Sequence, residues 1–519
     1  MAYWAKAPAP REQLVLFATR LDDVLGEDHP VRLLDDILAA VEWSDWERYY
    51  CGLAGQPAIH PRVLAGAILY GLTVGVRTSR KLEDACRHRV DFMWLVEGRT
   101  IDHSTFAGFR KDFGRQIKDL FKQVGRLAMT MGLVRLNTVA LDGTRVRANA
   151  DRRATASAKT LEGRLARLDE EIERLLAEAG QAEEAEQRLF AGVESAGRLP
   201  RALADAKRRQ EALGRALAAA RAADARRAAR GESKKGPVTV PVADPDAVVM
   251  PNKEGGHAPN YGPMVAVDAA SGVIVDADVL AESNEGGATL PTVSRIEATF
   301  GEKPRQLLAD GNHGTGANLE ALEAAGVEAF IPVEGGRTAE AVRRADGHQP
   351  VPESAWPDLP RSPQTKRLDK AAFLYDKERD CYWCPTGRRL GFSHAMEQAR
   401  AGGTAACRVY VCHECTGCPL AAACIAKNGT RRTVMRDQHE ERREAMQARL
   451  ATAAGKATYR RRAPLVEGVI GVVKSVLGFR QFLLRGLEHV KTEWFWLCTA
   501  FNLRKVMAAL RAATATGGL

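Results

Sequence analysis

Val139-Ala140-Leu141-Asp142-Gly143 and Leu307-Leu308-Ala309-Asp310-Gly311 end in the same way. Each is a short apolar run that stops at a carboxylate followed by a turn residue, which is the pattern of a buried strand and the loop after it. An open sheet binds its ligands beyond the carboxyl ends of its strands, so Asp142 and Asp310 stand where chemistry is usually done. Either Asp-Gly alone would also suit an ordinary turn. A third carboxylate, Glu467, lies in Arg460-Arg461-Arg462-Ala463-Pro464-Leu465-Val466-Glu467, a basic segment that opens a helical pattern. Three acids amid positive charge suggest two divalent ions, Mg2+ or Mn2+, held by hard oxygen ligands. Such ions, ~4 Å apart, clamp the attacking and leaving oxygens of an in-line phosphoryl transfer.

Outward from these runs, the expected core order starts with the Asp142 strand and a helical insertion. A hairpin of Met264-Val265-Ala266-Val267 and Val273-Ile274-Val275 follows, with its turn at Ala270-Ser271-Gly272. Then come a helix near 288–299, the Asp310 strand, a helix near 319–325, a strand at 329–332, a Cys-rich insertion and the Glu467 helix. This is a three-layer α/β arrangement with a mixed sheet flanked by helices. Residues 236–259, rich in Gly, Pro and Asp, read as loop or linker, as do 333–370, and the tail from about 437 to 512 reads as helical. Glu467 and Lys474 are two helical turns apart and face the same way, so Lys474 is either a phosphate contact near the metals or a surface lysine. Tyr459 and Arg460 to Arg462 are either DNA contacts or a solvated charge run.

The N-terminal 130 residues read as short helices. Ser79 is a candidate cap for a helix over 80–87, and Asp102-His103-Ser104-Thr105 precede Phe106, Phe109, Phe113, Ile117 and Phe121 at helical spacing. A helix-turn-helix arrangement and an ordinary helical bundle both fit. His103 and Arg110 are taken as exposed positions that could lie against DNA. Between 150 and 235, Leu161, Leu165, Leu168, Ile172 and Leu175 follow a four-three spacing. Leu199, Leu203, Ala206, Leu213 and Leu217 repeat it, with polar Gln210 interrupting the stripe. An antiparallel helical hairpin is expected, turning within 191–197. Its second arm carries eleven Lys/Arg against four Asp/Glu between Arg201 and Lys235. Lys207, Arg208 and Arg209 are the residues through which that arm would touch phosphates, a solvated helix face being the other reading.

Seven of the ten cysteines fall between Cys381 and Cys424, in a Cys-x2-Cys followed by Cys412-x2-Cys415-x2-Cys418 and Cys424. Clustering of this kind favours Zn2+ over disulfides or free thiols, and the site looks structural. The net charge of +10 makes the chain a candidate nucleic-acid binder without deciding the matter. No secretory signal is visible, and the apolar stretch 494–503 is too short to span a bilayer, which takes ~20 residues. A cytoplasmic, nucleoid-associated protein with no membrane contact is expected.

The chain resembles a DDE transposase of a bacterial insertion sequence, from the group with a zinc-ribbon-like insertion. The resemblance rests on His60-Pro61-Arg62, Leu69-Tyr70-Gly71, Gly75 to Glu83, Asp102 to Phe106, Val139 to Thr144, Leu308-Ala309-Asp310, Val466-Glu467 with Lys474, Gly478-Phe479-Arg480, Leu484-Arg485-Gly486 and Asn502 to Lys505. It implies an RNase H-like catalytic core and two-metal DNA cleavage and strand transfer, with Asp142, Asp310 and Glu467 as the metal ligands. It also implies Cys384, Cys415, Cys418 and Cys424 as the matching thiolates, with Cys381, Cys407 and Cys412 extra. Expected partners are double-stranded DNA, as terminal inverted repeats and target, and a second copy of the chain when on DNA. Tyr459, Arg462, Lys474 and Arg480 join the arm and the N-terminal helices as expected DNA contacts. Two departures stand out: Gly311-Asn312-His313 where the family has Gly and an aromatic, and Gly468-Val469-Ile470-Gly471 where it has Pro and Phe-Gly. The expected units are a helical N-terminal DNA-binding domain (1–130), the first core strand (131–150), the hairpin insertion (151–236), the continued core (237–345), the loop and Cys-rich insertion (346–436) and the C-terminal helices (437–519). A decayed DNA-binding regulator and a nuclease without strand transfer are the competing readings.

Overall fold

A computed structural model describes residues 20–50, 57–189, 201–229, 236–251, 255–333, 347–400 and 403–515. Among the described residues nine strands precede the Cys-rich region: β1 (Thr138–Gly143), β2 (Val146–Arg147), β3 (Thr155–Ser157), β4 (Thr239–Pro241), β5 (Val248–Pro251), β6 (His257–Asp268), β7 (Ile274–Leu280), β8 (Gln306–Leu308) and β9 (Glu328–Phe330). The central sheet runs β7-β6-β1-β8-β9. β6 is antiparallel to β7 and β1, whereas β1, β8 and β9 are mutually parallel. From Ala258 to Asp268 every residue of β6 is buried, as in a strand covered on both faces. The helix Leu487–Ala515 packs on β7, and Arg462–Gly471 packs on β1 and β6.

The parallel pairing decides the geometry of the site. Ala140 lies opposite Leu308, so the chain two residues further on reaches Asp142 from one strand and Asp310 from the other at the same level. The shared spelling of the two runs thus becomes spatial adjacency.

Sequence and structure differ at several places. Residues 236–259 are not simply a linker: β4 pairs with β3, β5 pairs with the first half of β6, and β6 begins at His257. Pro241 and Pro251 close their strands, where a missing N–H costs least, and so they disguise them. Buried Asp244 fixes this stretch by accepting from the Tyr261 hydroxyl at 2.7 Å and from Gly486 N at 3.0 Å. Thr78, not Ser79, caps the helix Ser79–His88, its hydroxyl accepting from Lys81 N. The phenylalanine stripe spans two helices, His103–Asp112 and Gly114–Thr130, broken at Phe113. A side chain at position 114 would meet Thr492 Oγ1 at 2.5 Å, so glycine there lets the second helix close on Leu487–Ala515.

The hairpin arms are Ala158–Leu189 and Arg201–Ala229. Arg209 pairs with Glu171 and Arg221 with Glu162, so partners rise on one arm as they fall on the other, and the arms are antiparallel. The predicted turn at 191–197 and Leu199 lie outside the described residues. In the Cys-rich region, β10 (Leu374–Asp376), β11 (Cys381–Trp383), β12 (Arg389–Arg400), β13 (Gly403–Cys412) and β14 (Thr433–Asp437) form an antiparallel meander over a small core that includes Leu368, Tyr382, Leu390 and Tyr410.

N-terminal helices and core share one apolar interior. Trp46, 2 % exposed, stacks on Phe109 and Phe113 and meets Trp496 of the C-terminal helix edge-on. Trp46→Ala should cost about 3–5 kcal/mol. Urea unfolding followed by circular dichroism checks this, and an unchanged midpoint would show that the helices do not depend on that contact.

Candidate active site

Asp142 is the last residue but one of β1, Asp310 follows β8, and Glu285 stands at the N-cap of the short turn Gly286–Ala288 that comes after β7. One carboxylate oxygen from each lies within 4.8 Å of the others. Gly143 N donates to Asp142 Oδ1 at 2.9 Å. Asp310 caps its own turn, accepting from Asn312 N at 3.0 Å and from Asn312 Nδ2 at 3.1 Å. Glu285 was not among the residues singled out from sequence. Its segment, Ser283-Asn284-Glu285-Gly286-Gly287, carries no strand-carboxylate signature, and only the position of β7 beside β6 brings it in.

Gathering carboxylates out of water raises the cost of their charge. Burial pushes the Asp142 carboxyl above its ordinary value, against the pull of Arg462, whose Nη1 is 3.0 Å from Asp142 Oδ2. Burial, and then the charges of Asp310 and Asp142, push Glu285 up to about 7. Burial lowers the His313 imidazole, 3.8 Å from Asp310. Three converging hard oxygen donors fit a divalent cation of the Mg2+ or Mn2+ kind.

Glu467 lies outside this cluster of described residues: it is exposed, on the helix that packs along β1. The expected alignment of Glu467 with Lys474 is altered, because the helix loosens into a π segment, Val472–Val476, between them. Lys474 Nζ donates to Thr144 Oγ1 at 2.6 Å and to the Arg145 carbonyl at 3.0 Å, which ties it to the end of β1. Tyr459 is half-buried beside Arg462, and Arg480 is exposed.

Other predicted contacts fall elsewhere. Arg110 is not an exposed helix residue: it is 8 % exposed and donates to the Arg77 carbonyl, because its helix turns that face toward the core. His103 is engaged by Glu83 at 2.7 Å. On the arm, Lys207 is exposed, Arg208 pairs with Asp205 at 3.1 Å, and Arg209 pairs with Glu171 at 2.8 Å.

Among the cysteines, Thr386 Oγ1 lies 3.0 Å from Cys384 Sγ and 4.0 Å from Cys418 Sγ. Burial raises the Cys424 thiol to about 11, and Cys415, Cys384 and Cys418 are all near enough to add to the rise. Backbone N–H groups of Arg388 and Arg432 point at Cys384 Sγ and Cys415 Sγ, at 3.3 and 3.5 Å. Cys412 adjoins Cys415, while Cys407 faces Gln398. Among the described residues no three sulfurs lie within 4.8 Å of one another.

Against known families, a transposase DDE domain matches residues 383–507, and a transposase domain known as DUF772 matches residues 19–112. The two matches support a DDE transposase of an insertion sequence. The first match takes in Glu467 and much of the Cys-rich meander, and the second covers the N-terminal helices; Asp142 and Asp310 lie between them. No curated protein matches the chain. A DDE transposase domain implies an enzyme that acts on DNA and uses divalent metal, which suits the acidic cluster. No described helix is long and apolar enough to cross a membrane.

Glu285 gives a pH test on metal-free protein. Its folded pKa is raised from 4.5 to about 7, so its stabilising contribution is complete below pH 4.5 and is lost as pH rises through about 7. Glu285→Gln should therefore melt higher than the parent in EDTA at pH 8, and the gap should close near pH 4.5. A gap independent of pH would rule out the shift.

Proposed function

We propose that this transposase cuts DNA at the ends of its own element and joins those ends to a target, using metal held at Asp142 and Asp310. The observation that carries the reading is the delivery of both carboxylates from adjacent parallel strands at one level. The strand order supports an RNase H-like core: an antiparallel β1-β6-β7 meander continues on the other side into the parallel β8 and β9. Glu467 is proposed as the third acid of the motif, supplied by the helix along β1.

When bound, divalent ions at this site would stabilise charge on the attacking and leaving oxygens. The chain's own residues do the rest. Asp142 and Asp310 are held by their own turns, so their oxygens face one pocket before substrate arrives. Arg462 neutralises Asp142 and offers a cation to a phosphate. Lys474 braces the loop after β1. In cleavage a water oxygen would bond to the scissile phosphorus as the strand oxygen leaves. In transfer the freed strand hydroxyl would attack a target phosphate and displace its strand oxygen.

DNA would be gripped by the N-terminal helices and by the exposed cations of the second arm, Lys207 foremost, because Arg208 and Arg209 have acidic neighbours. Two copies would act together on paired ends. The Cys-rich meander would hold a structural Zn2+ through Cys384, Cys415, Cys418 and Cys424, with the Arg388 and Arg432 amides supporting the sulfurs. A cytoplasmic, nucleoid-associated location follows from such a substrate.

Donor DNA carrying the element's ends, with a target plasmid and Mg2+, tests the function. The parent should cleave and join. Asp142→Asn and Asp310→Asn should lose both activities by at least ~1000-fold while still retarding the donor in a gel. Cutting without joining would leave a nuclease; binding without cutting, a regulator. Metal analysis tests the cysteines: the purified protein should hold about one zinc per chain, and Cys415→Ser should release it. A zinc-free parent would remove the proposed zinc site.

A further inference from the structure

The sequence points to two strand aspartates and a helical glutamate, yet the acid that meets the two aspartates is Glu285. We infer that Glu285 is a metal ligand of this transposase, completing with Asp142 and Asp310 a divalent-cation site delivered wholly by the sheet. The inference rests on the proposed metal role of the two aspartates and adds a ligand to it.

Two features show that the position of Glu285 is built. A side chain at Gly143 would come within 2.5 Å of Glu285 Oε1, so glycine after Asp142 is what admits the carboxylate. The turn carrying Glu285 is also bound to the turn carrying Asp310. The Gly286 carbonyl accepts from Thr289 Oγ1 at 2.9 Å and from Asn318 Nδ2 at 2.8 Å, and Asn318 Nδ2 reaches the His313 carbonyl at 3.0 Å. The Glu285 carboxylate itself makes no hydrogen bond or ion pair with any described residue.

His313 supplies an independent sign of a cation. It is fully buried, and its Nδ1 lies 2.8 Å from Thr289 Oγ1. Asn318 Nδ2 also donates to Thr289 Oγ1, at 3.1 Å, so the Nδ1 contact is made in either tautomer. The other ring nitrogen is Nε2. It has no hydrogen-bond partner and faces Asp310 Oδ1 at 3.8 Å. A buried ring nitrogen left without a partner costs free energy, and this one is aimed at the carboxylate of the acidic cluster. With Glu285 and Asp142 converging on the same spot, the geometry calls for a cation there.

Mn2+ binding to the full chain without DNA tests this, by calorimetry and by the electron paramagnetic resonance of free Mn2+. Glu285→Gln, Asp142→Asn, Asp310→Asn and Glu467→Gln are compared with the parent, and circular dichroism verifies folding. Glu285→Gln should weaken Mn2+ by at least ~10-fold, as the two Asp→Asn variants do. Glu285→Asp, which keeps the charge on a shorter arm, should recover part of the loss, and it serves as the readout if the Gln variant does not fold. Parent-like Mn2+ affinity in Glu285→Gln, with both Asp→Asn variants impaired, overturns the ligand role of Glu285 alone. Parent-like affinity in Asp142→Asn and Asp310→Asn overturns the underlying metal reading as well.

Discussion

The candidate site depends on a small buried polar network joining two turns from different parts of the sheet. Thr289, Asn318 and the Nδ1 side of His313 pair with one another and with the Gly286 and His313 carbonyls, with Thr289 and His313 fully buried and only His313 Nε2 left over, on the side of Asp310. Polar groups are costly to bury unpaired, and those that pair hold a single arrangement. Glu285 lies one residue before this weld and Asp310 three residues before His313, so neither carboxylate can drift far from the other. β1 then places Asp142 by backbone pairing alone. Repulsion among three acids is borne by backbone and buried hydrogen bonds, leaving the side chains free to meet a cation.

A second set of ties brings the C-terminal helices to the same end of β1. Arg462 meets Asp142, and Lys474 meets Thr144 and the Arg145 carbonyl. Both cations lie on one helical run, one on each side of its exposed Glu467. The run changes pitch at Val472, which sets the direction in which Lys474 projects relative to Glu467. The basic segment that reads from sequence as a DNA contact is thus also a counter-charge for the first aspartate.

Much of the core was legible because strands in a covered parallel sheet are written as continuous apolar runs, and the repeated Asp-Gly endings marked which strands mattered. The helical hairpin showed in its leucine spacing and the Cys-rich unit in its Cys-x2-Cys steps. Legibility failed where structure is set by distant partners. β4 and β5 hide in a Pro- and Gly-rich stretch because edge pairing asks little of side chains. Arg110 looks like a surface arginine until the helix it belongs to is rotated against Trp496. Glu285 had no local pattern at all: it is made relevant by a hairpin, a glycine 142 residues earlier in the chain and a histidine on another turn.

Arg77 leaves the N-terminal helices to donate to the carbonyls of Gly478 and Gln481, at 2.5 and 2.9 Å, and its guanidinium lies over the Phe479 ring. With the Trp46–Trp496 contact, this leaves no slack between the two parts of the molecule. If, as proposed, the N-terminal helices grip DNA and the sheet cuts it, the span from grip to cut is set by folded protein and not by a linker. The transposase would act as a calliper: where it takes hold of an end would determine which phosphate reaches the acids.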